Sequence, residues 1–338
     1  MTALSGVSAD TLAFHHETFI FDCLALYYVL DDTYAERALA AGVNAVNVTF
    51  AAEDDWDATV RNLELGLAKI ERSPFLQLAV TTEQILAARA AGKLAVVPGT
   101  QGSKMLEERP ERLQLMHRLG IRFFGLAYTG PTLFADGCGE RRDAGVSSYG
   151  VELIAAINEL PMILDLSHCG HRTRKEGAAM ARAPVCTHSN AYALNANDRN
   201  THDETALAIA AKGGVMGICG LPKSVKPADP TVADMLDHCD HYRKLIGDRS
   251  VGIGLDFTEG LKEARRPAGA ASIRWRTLRP DIFGTVDEFF TVDYPKGLSG
   301  ISELPNFTQG LFDRGYTREQ VAAIMGSNWL QAFQRFVG

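Results

Sequence analysis

The feature that most constrains this chain is a rhythm. Short apolar or β-branched runs recur after helix-like segments, and most are introduced by a Gly or Pro that stops the preceding helix. The runs are 18–21, 44–50 after Gly42, 94–97 after Gly92, 121–126 after Gly120, 162–166 after Pro161, 185–187 after Pro184, 215–218 after Gly213 and Gly214, and 251–255. Between them, segments such as 111–119, 151–160, 203–212 and 232–246 return apolar residues at three- and four-residue spacing. Strands that alternate with helices pair in parallel, so eight such units predict one α/β domain over residues 1–338, a (β/α)8 TIM-type barrel. The first run is followed by neither GxGxxG nor a P-loop pattern, and GIGLDFTEG comes late without that spacing, which speaks against an open nucleotide-binding sheet.

Charge narrows the partners. With 34 Lys and Arg against 41 Asp and Glu the formal charge is −7, and there is no dense basic run, so nucleic acid is not expected. No stretch is long and apolar enough for a membrane span, and the N-terminal residues lack a basic region followed by an apolar one. A cytoplasmic protein acting on a small molecule is the expectation. The six cysteines form no CxxC pairs, as suits reduced thiols.

Barrel enzymes gather their chemistry at the C-terminal ends of the strands. Here the ends carry Asp22, Thr49, Gln101, Tyr128, His168, His188 and Asp256. His168 closes ILDLSH and His188 closes PVCTH, 188 − 168 = 20 residues apart on consecutive strands. Either imidazole alone would suit a hydrogen-bonded rim residue; the matched pair suits a metal or catalytic site. Asp256, ending VGIGLDF, is the acid/base candidate, with a helix N-cap as the plainer role, and Gly252 and Gly254 before it leave space beside the backbone. Arg199 in NANDRNTHDE is placed to clamp a substrate carboxylate, or equally to form a loop salt bridge.

Taken together, ILDLSHCG, PVCTHSNAYAL with the later DRN, VGIGLDFTEG and TREQVAAIMGSNWLQAF resemble the membrane (renal) dipeptidase family of zinc peptidases, over about residues 14–336. The resemblance implies a (β/α)8 barrel that hydrolyses dipeptides with two zinc ions sharing a bridging carboxylate. It implies that His168 and His188 are ligands of the second zinc, Asp256 the catalytic carboxylate and Arg199 the group that binds the substrate's carboxylate. Three departures stand out. Where the family has Asp-Gly-His-x-Asp, this chain has Asp22-Cys23-Leu24-Ala25-Leu26, so two ligands become leucines; the bridging Glu falls on Gln101, and a substrate-contacting His falls on Tyr128.

Two readings follow. In one, the protein is a hydrolase with one zinc on His168 and His188, a third ligand from Gln101, Asp256 or Cys138, and a dipeptide-like substrate touched by Tyr128, Gln101 and Arg199. In the other, no metal is bound, and the barrel holds a small acid or performs a non-peptidase reaction. The remaining features are discounted: His15 and His16, the pair His238 and His241 on a solvated helix face, and the isolated Trp56, Trp275 and Trp329 as packing residues. The segment 261–300 lacks clear periodicity and leaves the eighth strand on the active-site side, so it is expected to be a lid-like insertion, a subunit contact in a homo-oligomer, or an idle excursion.

Overall fold

The computed structural model describes residues 6–264, 269–292 and 294–338. Among them, nine strands run parallel: β1 (Ile20–Ala25), β2 (Val43–Ala51), β3 (Leu76–Leu78), β4 (Leu94–Thr100), β5 (Phe123–Gly125), β6 (Ile163–Asp165), β7 (Pro184–Val185), β8 (Met216–Ile218) and β9 (Val251–Ile253). Eight of them follow the order β7-β6-β5-β4-β2-β1-β9-β8. The ends meet through a bridge between Cys186 and Met216, in which Gly217 N–H donates to the Cys186 carbonyl at 2.8 Å. The result is a nearly closed eight-stranded parallel barrel with helices between the strands, a (β/α)8 fold.

The ninth strand, β3, was not expected. It occupies the β4 edge only along Leu94–Val96, and β5 takes the same edge at Gly99 and Thr100. One side of β4 is therefore shared end to end by two short strands.

Side-chain alternation builds two cores. Along β4, Leu94 and Val96 face the helices, while Ala95 and Val97 join Phe21, Ala45, Phe123, Ile163, Val185 and Trp329 inside the barrel. The helix Asn328–Phe336 closes the floor: Trp329 is fully buried, packs edge-on against Phe123 and donates its indole N–H to the Ile253 carbonyl at 2.9 Å. Fully burying one such aromatic contributes on the order of 2–3 kcal/mol.

After β9 come four short helices, Glu259–Glu263, Gly269–Leu278, Pro280–Phe283 and Val286–Thr291. They lie in the stretch expected to be a lid, of which residues 265–268 and 293 fall outside the described residues. They touch the barrel mouth: Trp275 donates to Glu53 at 2.7 Å, and Arg279 pairs with Asp198 at 2.7 Å. No helix among the described residues is long and apolar enough to cross a membrane.

Candidate active site

Four residues sit at one offset from their strands. Tyr128, His168, His188 and Asp256 each lie three positions past the last residue of β5, β6, β7 and β9, at 125, 165, 185 and 253. The Nε2 atoms of His168 and His188 are 3.1 Å apart, and the Tyr128 ring stacks on His168 with centroids 4.1 Å apart. His168 Nδ1 lies 3.4 Å from the Thr129 hydroxyl.

A hydrogen-bond chain behind His188 fixes which nitrogen carries its proton. Asp165, inside β6, accepts from Ser167 N–H at 3.0 Å, the Ser167 hydroxyl at 2.5 Å, Thr187 N–H at 3.0 Å and the Thr187 hydroxyl at 2.6 Å. With its single proton committed to that carboxylate, Thr187 accepts from His188 Nδ1–H across 2.7 Å. His188 Nε2 then presents a lone pair toward His168. Both rings are held well below the ordinary imidazole pKa, by burial first and by the Arg199 guanidinium second, so both are neutral near pH 7.

Asp256 has a left-handed backbone, φ 55°, which Asp tolerates better than bulkier residues. It caps no helix: Thr258 occupies the N-cap position of Glu259–Glu263. Burial pushes its carboxyl up to about 6, against the opposing pull of Arg199 and Arg276. The Tyr294 hydroxyl donates to its backbone carbonyl. The space opened by Gly252 is filled by the Trp329 indole, and that opened by Gly254 by the Thr187 carbonyl and His188; a Cβ at either position would collide. Burial, then the Asp256 charge, raises the Tyr128 phenol, keeping it a proton donor.

Arg199 is buried at 1% exposure. Its two terminal nitrogens donate to the carbonyls of Ser167 and, at 3.2 Å, His188, while its Nε–H is buried without a partner. Gln101, the first residue after β4, donates to Thr49 at 2.7 Å. Cys138 anchors by its backbone, donating N–H to the His168 carbonyl at 2.8 Å; burial raises its thiol, which disfavours the thiolate a metal needs.

Two expectations need correction. Asp22 does not end its strand: it lies inside β1, paired with Val46 and Ile253, and lines a small cavity with Tyr28, Val46 and Phe257. Its carboxylate accepts N–H from Leu255 at 2.8 Å and Leu24 at 3.2 Å, which let the strand run on to Ala25. His238 is not on a solvated face. It is buried at 1% exposure, accepting Ala191 N–H on Nδ1 at 3.2 Å and meeting the Val225 carbonyl with Nε2 at 2.9 Å.

The sequence reading also missed three supports. Asp165 and Thr187 orient His188, and their signal was visible as polar residues inside otherwise apolar strand ends. Arg174, fully buried, donates to the carbonyls of Leu166, Ser167, Asp198, Arg199 and Asn200, tying the β6 loop to the loop that carries Arg199. A helix interior gave no hint of it.

The residues do not fit a two-zinc centre. Leu24 and Leu26 have no lone pairs, Gln101 offers a neutral amide oxygen in place of a bridging carboxylate, and no three His, Cys, Asp or Glu side chains among the described residues converge as a ligand set. For a single cation the donor set is two neutral nitrogens, one short of the three protein ligands usual in catalytic zinc sites. Two nitrogens sharing a tetrahedral zinc stand about 3.3 Å apart, close to the spacing of the His pair.

Comparisons with known proteins identify the family. The sequence profile of the membrane dipeptidase family (peptidase family M19) matches residues 27–269. The chain is 30% identical over 262 residues to the uncharacterized dipeptidase C965.12 of Schizosaccharomyces pombe, covering 75% of this chain and 56% of that protein. It is 29% identical over 246 residues to dipeptidase aclJ of Aspergillus oryzae, covering 71% and 51%. The chain thus spans about half the length of the curated relatives it matches. An amidohydrolase from Pseudomonas aeruginosa superimposes with a TM-score of 0.85 at 26% identity, covering 97% of this chain and 98% of that one. The chain belongs to the membrane dipeptidase family, M19.

Proposed function

We propose that this protein is a hydrolase of small amides or dipeptide-like substrates that carry a free carboxylate, acting at the mouth formed by Tyr128, His168, His188, Arg199 and Asp256. The observation that carries the reading is the convergence of two neutral imidazoles, 3.1 Å apart, in one mouth with a carboxyl pushed up to about 6. The named activity of the relatives supports it. Asp256 takes a proton from the attacking water as the C–O bond forms, and gives it to the leaving amine as the C–N bond breaks. The rate therefore rises with pH through about 6, as Asp256 becomes the base. The Tyr128 hydroxyl donates to the oxygen on which charge develops. The unspent Nε–H of Arg199 faces the substrate carboxylate.

His168 and His188 hold at most one zinc ion in this reading, which when bound polarises the scissile carbonyl and acidifies water. The helices of 261–300 act as the lid. The 3.1 Å contact equally suits a direct His–His hydrogen bond, and it supports a second reading in which the barrel is metal-free and binds a small acid.

The test is a screen of dipeptides, N-acyl amino acids and small amides, joined to elemental analysis of protein purified without chelator. Asp256→Asn, which keeps a residue tolerant of positive φ, and His188→Ala are then compared on any substrate found. Each is expected to lower kcat/KM about 100-fold or more. Unchanged turnover in both would remove these residues from the reaction, and two tightly held metal equivalents per chain would refute the single-zinc site.

A further inference from the structure

Beside Asp256 lies a small cavity, walled by residues after β8 and β9 and roofed by the helices that follow β9. Thr258, two residues beyond Asp256, lines it, and so does Tyr294, whose hydroxyl reaches the Asp256 carbonyl. Among the described residues its charged lining includes Lys223 and Arg276 with one carboxylate, Glu288. That carboxylate is already committed, paired with Lys223 at 3.1 Å and capping its own helix by accepting Thr285 N–H at 2.6 Å.

Arg276 is the unusual member. It is buried at 9% exposure, lies over the Phe289 ring at 4.6 Å and gives one terminal nitrogen to the Phe283 carbonyl. Its Nε–H is buried with no partner. Leaving a buried donor unmade costs about 1–3 kcal/mol. A carboxylate entering the cavity would supply the missing acceptor. Burial lowers the Arg276 pKa and the Asp256 carboxylate partly restores it, so the guanidinium lies within electrostatic reach of the reacting centre.

We infer that this cavity is the subsite for an acidic side chain of the substrate, with Arg276 as its specificity-determining anchor, so that the preferred substrates are dipeptide-like amides containing Glu or Asp. The inference rests on the hydrolase reading for its substrate class. Two guanidinium groups then divide the labour, Arg199 for the terminal carboxylate and Arg276 for the side chain.

The test uses near-isosteric pairs, Ala-Glu against Ala-Gln and Glu-Ala against Gln-Ala, read by kcat/KM and by calorimetric binding to the full chain. For at least one pair the acid is expected to exceed the amide by about tenfold or more, since charge-assisted contacts to a buried donor discriminate strongly. Arg276→Gln should bring that ratio close to one. Glu288→Gln keeps the helix cap and removes the competing negative charge, so it should raise the ratio severalfold, and it tests the subsite even if the Arg276 variant folds poorly. If no dipeptide is hydrolysed, the hydrolase reading fails, and binding alone decides the subsite. Tighter binding of the acid that Arg276→Gln abolishes supports it. Equal affinities in both pairs, a ratio indifferent to both substitutions, or no binding of either acid would overturn it.

Discussion

The two halves of the barrel mouth handle polarity in opposite ways. On the β6–β7 side, Asp165, Ser167, Thr187 and His188 satisfy one another across adjacent strands, and Arg174 and Arg199 hold the surrounding carbonyls. On the β1–β4 side, Leu24 is buried at 1% exposure where the family resemblance places a ligand, Gln101 turns to Thr49, and Asp22 is left as a solitary buried carboxyl. Two backbone N–H groups do not offset its desolvation, and its pKa is pushed up to about 7. A polar group survives burial well when its neighbour is also polar and aimed at it; when the neighbours become apolar, the remaining acid is a liability.

The sharpest way to break this contrast is to rebuild the lost side. The triple variant Leu24→His, Leu26→Asp, Gln101→Glu should bind one more zinc equivalent than the parent by elemental analysis. It should also melt well below the parent without metal, because it buries unpaired charge, and recover when zinc is added. No gain of metal would mean that the β1–β4 side lacks ligands for reasons of backbone geometry as well as side-chain identity.

A smaller effect isolates the solitary acid. Because the folded-state pKa of Asp22 is raised, its folded form prefers the proton; stability is full below about pH 4 and declines as pH rises through about 7. A shift of that size is worth on the order of 4 kcal/mol once the group is ionised. Asp22→Asn should therefore raise the melting temperature at pH 8 and leave it nearly unchanged at pH 4. An equal gain at both pH values would show that charge is not the cause.

The smallest change probes the wired side. Thr187→Val keeps the side chain's shape but strands an Asp165 oxygen and His188 Nδ1, at a cost of about 1–3 kcal/mol. Denaturant unfolding measures it. The His188 ring should also lose its fixed tautomer, visible in the nitrogen shifts of the labelled imidazole.

How much of this was legible in the sequence depends on whether a residue's role is set by its own strand or by a neighbour. The eight barrel runs were readable because they are apolar and most follow a helix stop, which places His168, His188 and Asp256 at the ends of their strands. Strand β3 was not, since three residues paired along part of one edge show no period. Polarity misled at Asp22, where a charged residue reads as a strand end although backbone donors hold it inside. It misled again at His238, whose polar partners, Ala191 N–H and the Val225 carbonyl, belong to other segments. Arg276 was hidden for the same reason. Nothing in ASIRWRTLRP distinguishes Arg276 from its two neighbouring arginines; only the packing of the helices after β9 leaves one of them buried with a free donor.

The Trp329 stopper has a consequence for the order in which the molecule is made. The interior of the barrel is dry only when the helix Asn328–Phe336 has docked, bringing Trp329 and Phe333 against Phe123. Those side chains are synthesised far later than Phe21 and Phe123, which share that cluster. The nascent chain must hold its strands without a floor until that helix has been made, and contacts of such long sequence separation slow folding and leave apolar surface open meanwhile. Chaperone dependence during synthesis, relieved by supplying nothing more than the last helix, is what this architecture leads one to look for.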